Sequence, residues 1–555
     1  MIRKISITVL VVLFIVAMPV RILALAGFER SDLIAIPEPE LNVGGVGNLI
    51  SGVDLDGDGR TEIYLVNDNW ADAESEKIPR IYKLELVDNA WQVVWQSIAP
   101  VEAQNTWPPL LITDLDSDGK DELTWLIVNF TTTTSPNPFR VVVYEEAGDG
   151  SDVLGVSDGF GGYYPNAMWT ITDTDNLEIR PASAAAADVD NDGTVELIFA
   201  DRKGNNGGYY FGVISVDDIP DDGSGFETWT METCGLDHTL SDKIDNKWDV
   251  AVVGSNMYFF DEFEISKVAW DGSDYVYSTL APLPGGISFN SVEVVDLDED
   301  GIQEMITGEL TYGDTTRHIW LLQEDGDTLK RTALVDINTE ELLNGGFLGG
   351  GAQGDIDQDG YLDLVFGSRY SGPPNAMIFR LAYRGGEISD PASYEFSVID
   401  TGIVSSGGYW TVVNIADIDG DGELEVLYTS SSSVSGEAGA ESHPIVVLDY
   451  DPAYINVQTD VLPKSILIGR NYPNPFNPLT KIEYQLAEAA RVKVVVLNLL
   501  GQEIKVLEAG PVPAGLRSVV WDATDQLGIP VGSGVYLYQI DTESERYNGK
   551  MIYLK

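Results

Sequence analysis

A nine-residue pattern of acids and glycine occurs six times and offers the residue types that bind a hard cation. It reads Asp-x-Asp-x-Asp-Gly-x-x-acid, and its first copy runs from Asp54 to Glu62. The other copies span residues 114–122, 188–196, 296–304, 355–363 and 417–425. Calcium takes about six to eight oxygen ligands, and closely spaced carboxylates with a backbone carbonyl can supply them. The pattern therefore predicts six calcium loops.

In each copy we predict five ligands: the acids at positions 1, 3, 5 and 9, and the backbone carbonyl at position 7. Glycine at position 6 tolerates the positive φ of a sharp turn. The predicted ligands are Asp54, Asp56, Asp58, Arg60, Glu62, Asp114, Asp116, Asp118, Lys120, Glu122, Asp188, Asp190, Asp192, Thr194, Glu196, Asp296, Asp298, Asp300, Ile302, Glu304, Asp355, Asp357, Asp359, Tyr361, Asp363, Asp417, Asp419, Asp421, Glu423 and Glu425.

The residues that flank the loops indicate strands. An EF-hand would need a bidentate Glu at position 12 and two helices, whereas position 12 is never acidic here. Short apolar runs such as Ser291 to Val295 and Leu424 to Leu427 adjoin the loops, so each loop is predicted to be the tip of a β-hairpin. A metal-free Asp-Gly turn is the alternative. Six complete copies favour metal, because four carboxylates on one tip would repel each other without a cation.

The spacing of the copies predicts a repeat architecture. Neighbouring copies start about sixty residues apart, but the interval from 188 to 296 is nearly twice as long. Within it, Ser241 to Asp249 fits the same frame, with Lys243 at position 3 and Asn246 in place of glycine. Asn is among the residues that tolerate the left-handed conformation. We therefore expect a seventh hairpin that has lost calcium and in which Lys243 substitutes for the ion.

Small residues precede several loops, as in Ala184 to Ala187 and Gly349 to Gly351, which is typical of a strand crowded around a central axis. With the loops and their spacing, this resembles the FG-GAP/VCBS-type repeat family, the calcium-hairpin β-propellers that include the integrin α-subunit head. The resemblance implies an all-β fold with a seven-bladed β-propeller over residues 27–455. Phe28 to Glu40 is expected to close the ring by adding a strand to the last blade.

Residues 1–26 are predicted to be a secretory signal peptide. Arg3 and Lys4 form its basic start, an apolar run follows, and Ala24 to Ala26 gives a small-x-small cleavage site. A membrane anchor is the alternative, but the apolar run is short and interrupted by Arg21.

Charge and cysteine content narrow the function further. The formal net charge of −57 argues against nucleic acid and anionic lipid as partners. Cys234 is the single cysteine, so calcium is expected to take the role that disulfides have in other secreted proteins. We expect Cys234 to be a buried apolar residue. The three histidines, His238, His318 and His443, are too scattered to predict a zinc site or a catalytic triad.

After a predicted linker at residues 456–466, the pattern changes. Residues 467–555 carry alternating apolar runs such as Thr480 to Leu486, separated by Gly and Pro turns, which predict an antiparallel sandwich of about seven strands. The segment resembles the type A C-terminal sorting domain of type IX secretion substrates; an ordinary Ig-like stalk is the alternative. The resemblance implies an outer-membrane translocon and a sortase-like peptidase as partners. It also implies export through the periplasm to the medium or outer surface of a Gram-negative bacterium.

Two functional hypotheses remain open. The favoured one is a non-catalytic protein that binds a glycan or a protein through loops on the face opposite the calcium hairpins. Aromatic residues predicted near that face could stack on sugars or simply pack between blades: Trp70, Trp107, Phe160, Tyr163, Tyr164, Trp169, Tyr370, Tyr409 and Trp410. The alternative is an extracellular calcium-dependent polysaccharide lyase or another polysaccharide-degrading enzyme; a lyase needs a base and a charge-neutralising group in one cleft. Arg369 beside Tyr370 and Lys203 after Arg202 are its candidates.

Overall fold

A computed structural model gives the fold. It describes residues 23–24, 26–37, 45–67, 78–88, 90–101, 108–128, 137–172, 179–201, 211–235, 247–260, 265–280, 291–309, 316–326, 328–338, 347–369, 377–400, 408–432, 444–455, 466–472, 476–486, 490–498, 501–512, 515–542 and 546–555. Within these residues the regular structure is β-sheet apart from a short 3₁₀ helix, Pro391–Ser393, so the all-β prediction is confirmed. The chain divides into two compact units, Met1–Asn456 and Val457–Lys555.

The described part of the first unit contains seven sheets of four or more strands, which we number along the chain. A two-residue strand, β1 (Leu23–Ala24), and a nine-residue strand, β2 (Ala26–Ile34), precede them. Sheet 1 contains β3 (Val46–Val53), β4 (Glu62–Asn67), β5 (Arg80–Val87) and β6 (Ala90–Ile98). Sheet 2 contains β7 (Leu110–Thr113), β8 (Glu122–Leu126), β9 (Val141–Glu145) and, after the small hairpin of β10 (Val156–Ser157) and β11 (Tyr163–Tyr164), β12 (Ala167–Trp169).

Sheets 3 to 5 repeat the four-stranded order. Sheet 3 contains β13 (Pro181–Ala187), β14 (Glu196–Asp201), β15 (Phe211–Val216) and β16 (Trp229–Cys234). Sheet 4 contains β17 (Asp249–Val253), β18 (Asn256–Phe260), β19 (Ile265–Trp270) and β20 (Tyr275–Leu280). Sheet 5 contains β21 (Glu293–Val295), β22 (Glu304–Gly308), β23 (Thr316–Asp325) and β24 (Thr328–Asn338).

Sheets 6 and 7 recruit the N-terminal strands. Sheet 6 contains β25 (Phe347–Gly354), β26 (Asp363–Arg369), β27 (Ile378–Tyr383) and β28 (Tyr394–Asp400), with β1 added in parallel to β28. Sheet 7 contains β29 (Gly408–Ala416), β30 (Glu425–Ser432) and β31 (Ile445–Ile455). Its fourth strand is β2, antiparallel to β31, so the predicted addition to the last sheet is confirmed, although it starts at Ala26 and ends at Ile34.

The first strands of the sheets approach each other closely, which explains their small residues. A Cβ atom on Gly354 of β25 would lie 2.8 Å from Ile415 of β29. One on Gly52 of β3 would lie 2.3 Å from the Cβ of Ala416. Real Cβ atoms do not approach other atoms so closely, so only glycine fits at Gly52, where φ is also +77°. These contacts join sheet 6 to sheet 7, and sheet 7 to sheet 1.

The apolar core of this unit lies between sheets. The strand that follows each acidic loop is almost completely buried, as in Glu62–Asn67, because it is covered on both faces. Seven clusters of buried side chains each join two consecutive sheets. The cluster that contains Leu427 and Val447 of sheet 7 also contains Ile63 and Leu84 of sheet 1, so the last sheet packs on the first.

The prediction for residues 241–249 is wrong in position. Residues 236–246, which include Lys243, lie outside the described residues, but Asp249–Val253 is the first strand of sheet 4 and not the strand after a loop. It pairs with Asn256–Phe260 through a turn at Gly254 and Ser255. The seventh hairpin therefore exists among the described residues, but its tip is a two-residue turn with no acid, a short connection that natural hairpins favour.

The second unit has seven described strands in two antiparallel sheets, in agreement with the predicted small sandwich. The strands are β32 (Ile466–Tyr472), β33 (Thr480–Leu486), β34 (Ala490–Leu497), β35 (Glu503–Val512), β36 (Gly515–Trp521), β37 (Gly534–Asp541) and β38 (Arg546–Tyr553). Apolar residues of both sheets, including Ile482, Val494 and Ile540, pack in one core around Trp521. In neither unit do the described residues include a helix of the length and hydropathy that crossing a membrane requires.

Candidate functional site

All six acidic loops connect the first and second strands of a sheet and share one set of backbone hydrogen bonds. In the first loop the amide of Leu55 donates to Glu62 Oε2 (2.9 Å), and the amide of Gly59 donates to Asp54 Oδ2 (3.0 Å). The amide of Arg60 donates to Asp58 Oδ1 (2.8 Å). The same three bonds recur at the equivalent positions of the other five loops. They fix one oxygen of the acids at positions 1, 5 and 9.

Neighbouring hairpin tips also contact each other. Ser117 Oγ lies 3.4 Å from the carbonyl of Gly193, and Gln358 Nε2 lies 3.1 Å from the carbonyl of Gly422. Asn191 Nδ2 donates to Ser255 Oγ (3.0 Å) in the short turn of sheet 4. The turn at Gly254 and Ser255 thus takes the place that an acidic loop has in the other sheets.

Two loops combine a carboxylate cluster with a buried oxygen that has neither a hydrogen bond nor an ion pair among the described residues; in the loop at 54–62 the corresponding oxygen, Glu62 Oε1, pairs with Lys83. One oxygen each of Asp188, Asp190, Asp192 and Glu196 lie within 4.8 Å of one another, and so do those of Asp114, Asp116 and Glu122. Glu122 and Glu196 are fully buried, and the Oε1 atom of each lacks a hydrogen-bond partner. A buried polar atom is normally satisfied. The two clusters therefore fit a cation that would accept these oxygens.

Burial raises the pKa of these glutamates when no cation is present. The pKa of Glu122 rises to about 8, and so does that of Glu196. Glu304 and Glu425, at the same position of their loops, reach about 7 for the same reason. Nearby aspartates add to the effect, because like charges disfavour ionisation. A bound divalent cation would remove this penalty.

The loop at residues 54–62 contains a cation of the protein itself. Lys83, on the third strand of sheet 1, has a completely buried side chain. Its Nζ lies 2.6 Å from Asp56 Oδ2, 2.6 Å from Glu62 Oε1 and 2.9 Å from Glu85 Oε1. Asp152 lies 3.3 Å away. Lys83 thus neutralises the acids at loop positions 3 and 9.

The loop at residues 355–363 has the same arrangement with arginine. Arg380, on the third strand of sheet 6, places Nη2 2.5 Å from Asp357 and 2.7 Å from Asp363. Arg384 contacts Asp357 at 2.8 Å and also pairs with Asp359. Burial alone would raise the pKa of Asp357, but hydrogen bonds from both arginines hold it below its ordinary value. The pattern of acids within the loops does not predict Lys83, Arg380 or Arg384; for Arg380 the detectable signal is a basic residue inside an otherwise apolar strand, Ile378–Tyr383.

Residues at loop position 7 bond to their own loops through their backbone amides. Their amides donate to the position-5 aspartates, whereas their carbonyls were predicted as ligands, which stays a prediction. The side chain of Lys120 contributes an ion pair of its own, 3.2 Å from Glu145 and 2.5 Å from Asp221. Lys120 is partly exposed and does not contact Glu122 or Asp116 by an ion pair in the described structure.

A pocket of about 470 Å³ lies between sheet 1 and the β10–β11 hairpin. Arg80, Gln96 and Tyr82 line it from sheet 1, and Asp158, Tyr163 and Tyr164 line it from the hairpin. Ser97 Oγ donates to the carbonyl of Tyr163 at 2.7 Å and holds the hairpin against β6. The amides of Phe160 and Gly162 donate to Asp158 and lower the pKa of its carboxyl.

The predicted aromatic contacts separate into different groups. Phe160 is 96 % exposed and Tyr164 is 53 % exposed, both at the pocket hairpin. Trp169 instead stacks on Trp229, with ring centroids 5.6 Å apart, so it packs between sheets 2 and 3. Tyr409 and Trp410 lie in β29. Trp70, Trp107 and Tyr370 lie outside the described residues.

The described residues do not place the candidate catalytic side chains together in one cleft. Arg369 ends β26, whereas Arg202 and Lys203 lie outside the described part of the chain. Cys234 is buried at the end of β16 between sheets 2 and 3, as expected for an apolar role. His318 pairs with Glu309, while His238 and His443 fall outside the described residues.

Comparison with known families assigns the repeat. Residues 355–428 match the FG-GAP-like repeat. The match begins at the first acid of the loop at 355–363, continues through the loop at 417–425 and ends at Tyr428 on β30. Residues 478–546, within the second unit, match the FlgD Ig-like domain. Among curated proteins, no match was found.

Proposed function

We propose that the chain is a secreted or cell-surface binding protein built on a calcium-stabilised, seven-bladed β-propeller. The observation that carries the proposal is the cyclic packing of seven sheets, in which each apolar cluster joins consecutive sheets and the last joins the first. The strand β2 supports it, because it completes the last sheet with the N-terminal part of the chain. The FG-GAP-like match supports the same reading.

Calcium is the cation that the loops fit best. Their donors are carboxylate oxygens, which hard cations such as calcium prefer, and the sites are open loops without nitrogen or sulfur donors. In the loop at 188–196, Asp188, Asp190, Asp192 and Glu196 would hold the ion. When bound, the ion would neutralise the carboxylates and stabilise the folded state by an amount that rises with the logarithm of its free concentration above Kd.

We place ligand binding at the pocket beside the β10–β11 hairpin and infer that the ligand is a carbohydrate. The exposed rings of Phe160 and Tyr164 offer apolar faces for a sugar ring. Arg80, Gln96 and Asp158 line the pocket together with Tyr164 and offer donors and acceptors for hydroxyl groups. Loops on a rigid scaffold are a usual place for such sites.

The second unit would export the chain. Its seven-stranded sandwich and FlgD Ig-like match are compatible with a C-terminal sorting domain that is recognised by the type IX translocon and removed by a sortase-like peptidase. Together with the predicted signal peptide, this leads to the outer surface or the medium of a Gram-negative bacterium. Deletion of residues 457–555 should retain the remaining protein in the periplasm; unchanged export would refute this part.

The scaffold and the ligand are tested separately. Excess chelator should lower the melting temperature of the full chain by about 10 °C or more, because several sites lose ions that bind only the folded state. An unchanged melting temperature would mean that the loops are turns that bind no ion.

A glycan array should identify a carbohydrate whose binding is lost in Phe160→Ala and Tyr164→Ala but kept in Leu527→Ala, which changes an exposed residue of the second unit. Formation of unsaturated products from uronate polymers would instead favour the lyase.

A further inference from the structure

We propose that Lys83 and Arg380 replace calcium in the loops at 54–62 and 355–363, so that the chain binds four calcium ions and not six. The inference rests on the proposed calcium binding of the other loops. It divides six loops of one sequence pattern into two kinds: four that take a metal ion and two that carry a side-chain cation.

The two side-chain cations occupy the same place relative to their loops. Lys83 bridges Asp56 and Glu62, which are positions 3 and 9 of the first loop. Arg380 bridges Asp357 and Asp363, which are positions 3 and 9 of its loop. Calcium would need these same carboxylates, and a dication would be repelled by a fixed positive charge among its ligands.

The register of the sheets shows that Lys83 and Arg380 are equivalent residues. Lys83 lies opposite Tyr64, and Arg380 lies opposite Val365; both partners are two residues after the position-9 acid. In the other four sheets with an acidic loop, the residue in this register is aliphatic: Val143, Val213, Leu321 and Val447. An aliphatic side chain cannot neutralise the cluster, so those loops depend on an ion from solution.

Residue sizes in the loop at 355–363 fit this substitution. It is the one copy with Asp rather than Glu at position 9, which leaves more room in front of the carboxylate. The longer guanidinium of Arg380 reaches across that distance, and its planar group can contact two carboxylates.

The test is a calcium count on the full chain, by elemental analysis after equilibration with calcium and removal of free ion. We expect four ions per chain. Six ions would overturn the inference while leaving the proposed calcium scaffold intact. No bound ion would instead refute the scaffold proposal, and with it the inference.

Paired loop variants show which loops bind. Asp54→Asn with Asp58→Asn should leave the count at four, whereas the matched pair Asp188→Asn with Asp192→Asn should lower it to three. All four side chains are on exposed loop residues, so the folded state should tolerate both pairs. Loss of an ion in the first pair would overturn the inference.

Substitutions on the third strand test whether a basic side chain there prevents calcium binding. Lys83→Met should raise the count to five, because the cluster then accepts an ion, and Val213→Lys should lower it to three. Lys493→Met, which removes an exposed lysine of the second unit, should leave four. A folded Lys83→Met chain that still binds four ions would contradict the proposal. If Lys83→Met does not fold, the loop pairs and the wild-type count decide.

Discussion

The loops at 54–62 and 188–196 have the same four acids and the same backbone hydrogen bonds, yet their surroundings differ in one decisive residue. The third strand presents Lys83 to the first loop and Val213 to the second. Glu62 Oε1 therefore has an ammonium group at 2.6 Å, whereas Glu196 Oε1 has neither a hydrogen bond nor an ion pair among the described residues. The loop supplies the ligands, but the neighbouring strand determines which cation they bind.

A side-chain cation and a bound calcium ion have different energetic consequences for the folded state. A built-in ammonium is always present, but its desolvation and that of its partners are costly, so removing one partner leaves an uncompensated buried charge. A calcium ion stabilises only when it is bound, so its effect varies with concentration. Sheets 1 and 6 should therefore be held independently of calcium, and sheets 2, 3, 5 and 7 should depend on it.

The largest effect is expected for Lys83→Met in the absence of calcium. It leaves Asp56, Glu62 and Glu85 without the ammonium that they share, and should lower the free energy of unfolding by about 3–5 kcal/mol. Urea unfolding in chelator measures this. Added calcium should recover part of the loss. A loss below about 1 kcal/mol, similar to the exposed control Lys493→Met, would contradict the assigned role of Lys83.

Sheet 4 offers a third case, because its first strand carries a buried acid, Asp249, for which the described residues show no ion pair. Burial raises the pKa of Asp249 to about 6, despite hydrogen bonds from Ser183 and the amides of Val250, Ser291 and Val292. A raised pKa means that the stabilisation is complete below the ordinary value near 4 and is lost as the pH rises through about 6.

Asp249→Asn should therefore change the pH profile and leave the calcium response unchanged. Relative to the wild type, the unfolding free energy of the variant should rise by up to about 3 kcal/mol between pH 4 and pH 7. Parallel urea titrations in chelator at several pH values measure the difference. A constant difference across this range would show that Asp249 does not titrate as expected.

A glutamine exchange at position 9 compares the two kinds of loop directly. Glu196→Gln should reduce the stabilisation by calcium by about 1–3 kcal/mol but change the chelated protein little, because it replaces a buried carboxylate whose Oε1 has no hydrogen-bond partner and leaves an oxygen that can accept from the amide of Val189. Glu62→Gln should cost a similar amount with and without calcium, because it removes the charge of one of the carboxylates that pair with Lys83. Thermal melts of both variants in calcium and in chelator give the four values. If calcium stabilised both variants by the same amount, the distinction between ion-binding loops and loops with a side-chain cation would be contradicted.

The sequence predicts the local features of this molecule well and the interactions across strands poorly. The acids, the turn glycines and the flanking apolar runs act within about a dozen residues, so the loops and hairpins follow from the pattern. Lys83 lies 21 residues after Glu62, and its role depends on the register between the two strands. A shift of one residue would place its side chain on the opposite face of the sheet. The same limit explains why the seventh hairpin was predicted at the wrong position. Residues 241–249 fit the spacing of the acidic pattern, whereas the actual turn at Gly254 and Ser255 has no sequence pattern that would identify it.

The smallest effect is expected for Lys120→Met. Like Lys83, Lys120 pairs with carboxylates near an acidic loop, but its side chain is partly exposed and not buried. Lys120 pairs with Glu145 and Asp221, but its side chain is 29 % exposed, so water already solvates much of its charge. Ion pairs of this kind contribute about 0–1 kcal/mol. The variant should therefore unfold within about 1 kcal/mol of the wild type in chelator, and its calcium count should stay unchanged. A loss as large as that of Lys83→Met would mean that any basic residue near an acidic loop can hold it, and the comparison between buried and exposed cations would fail.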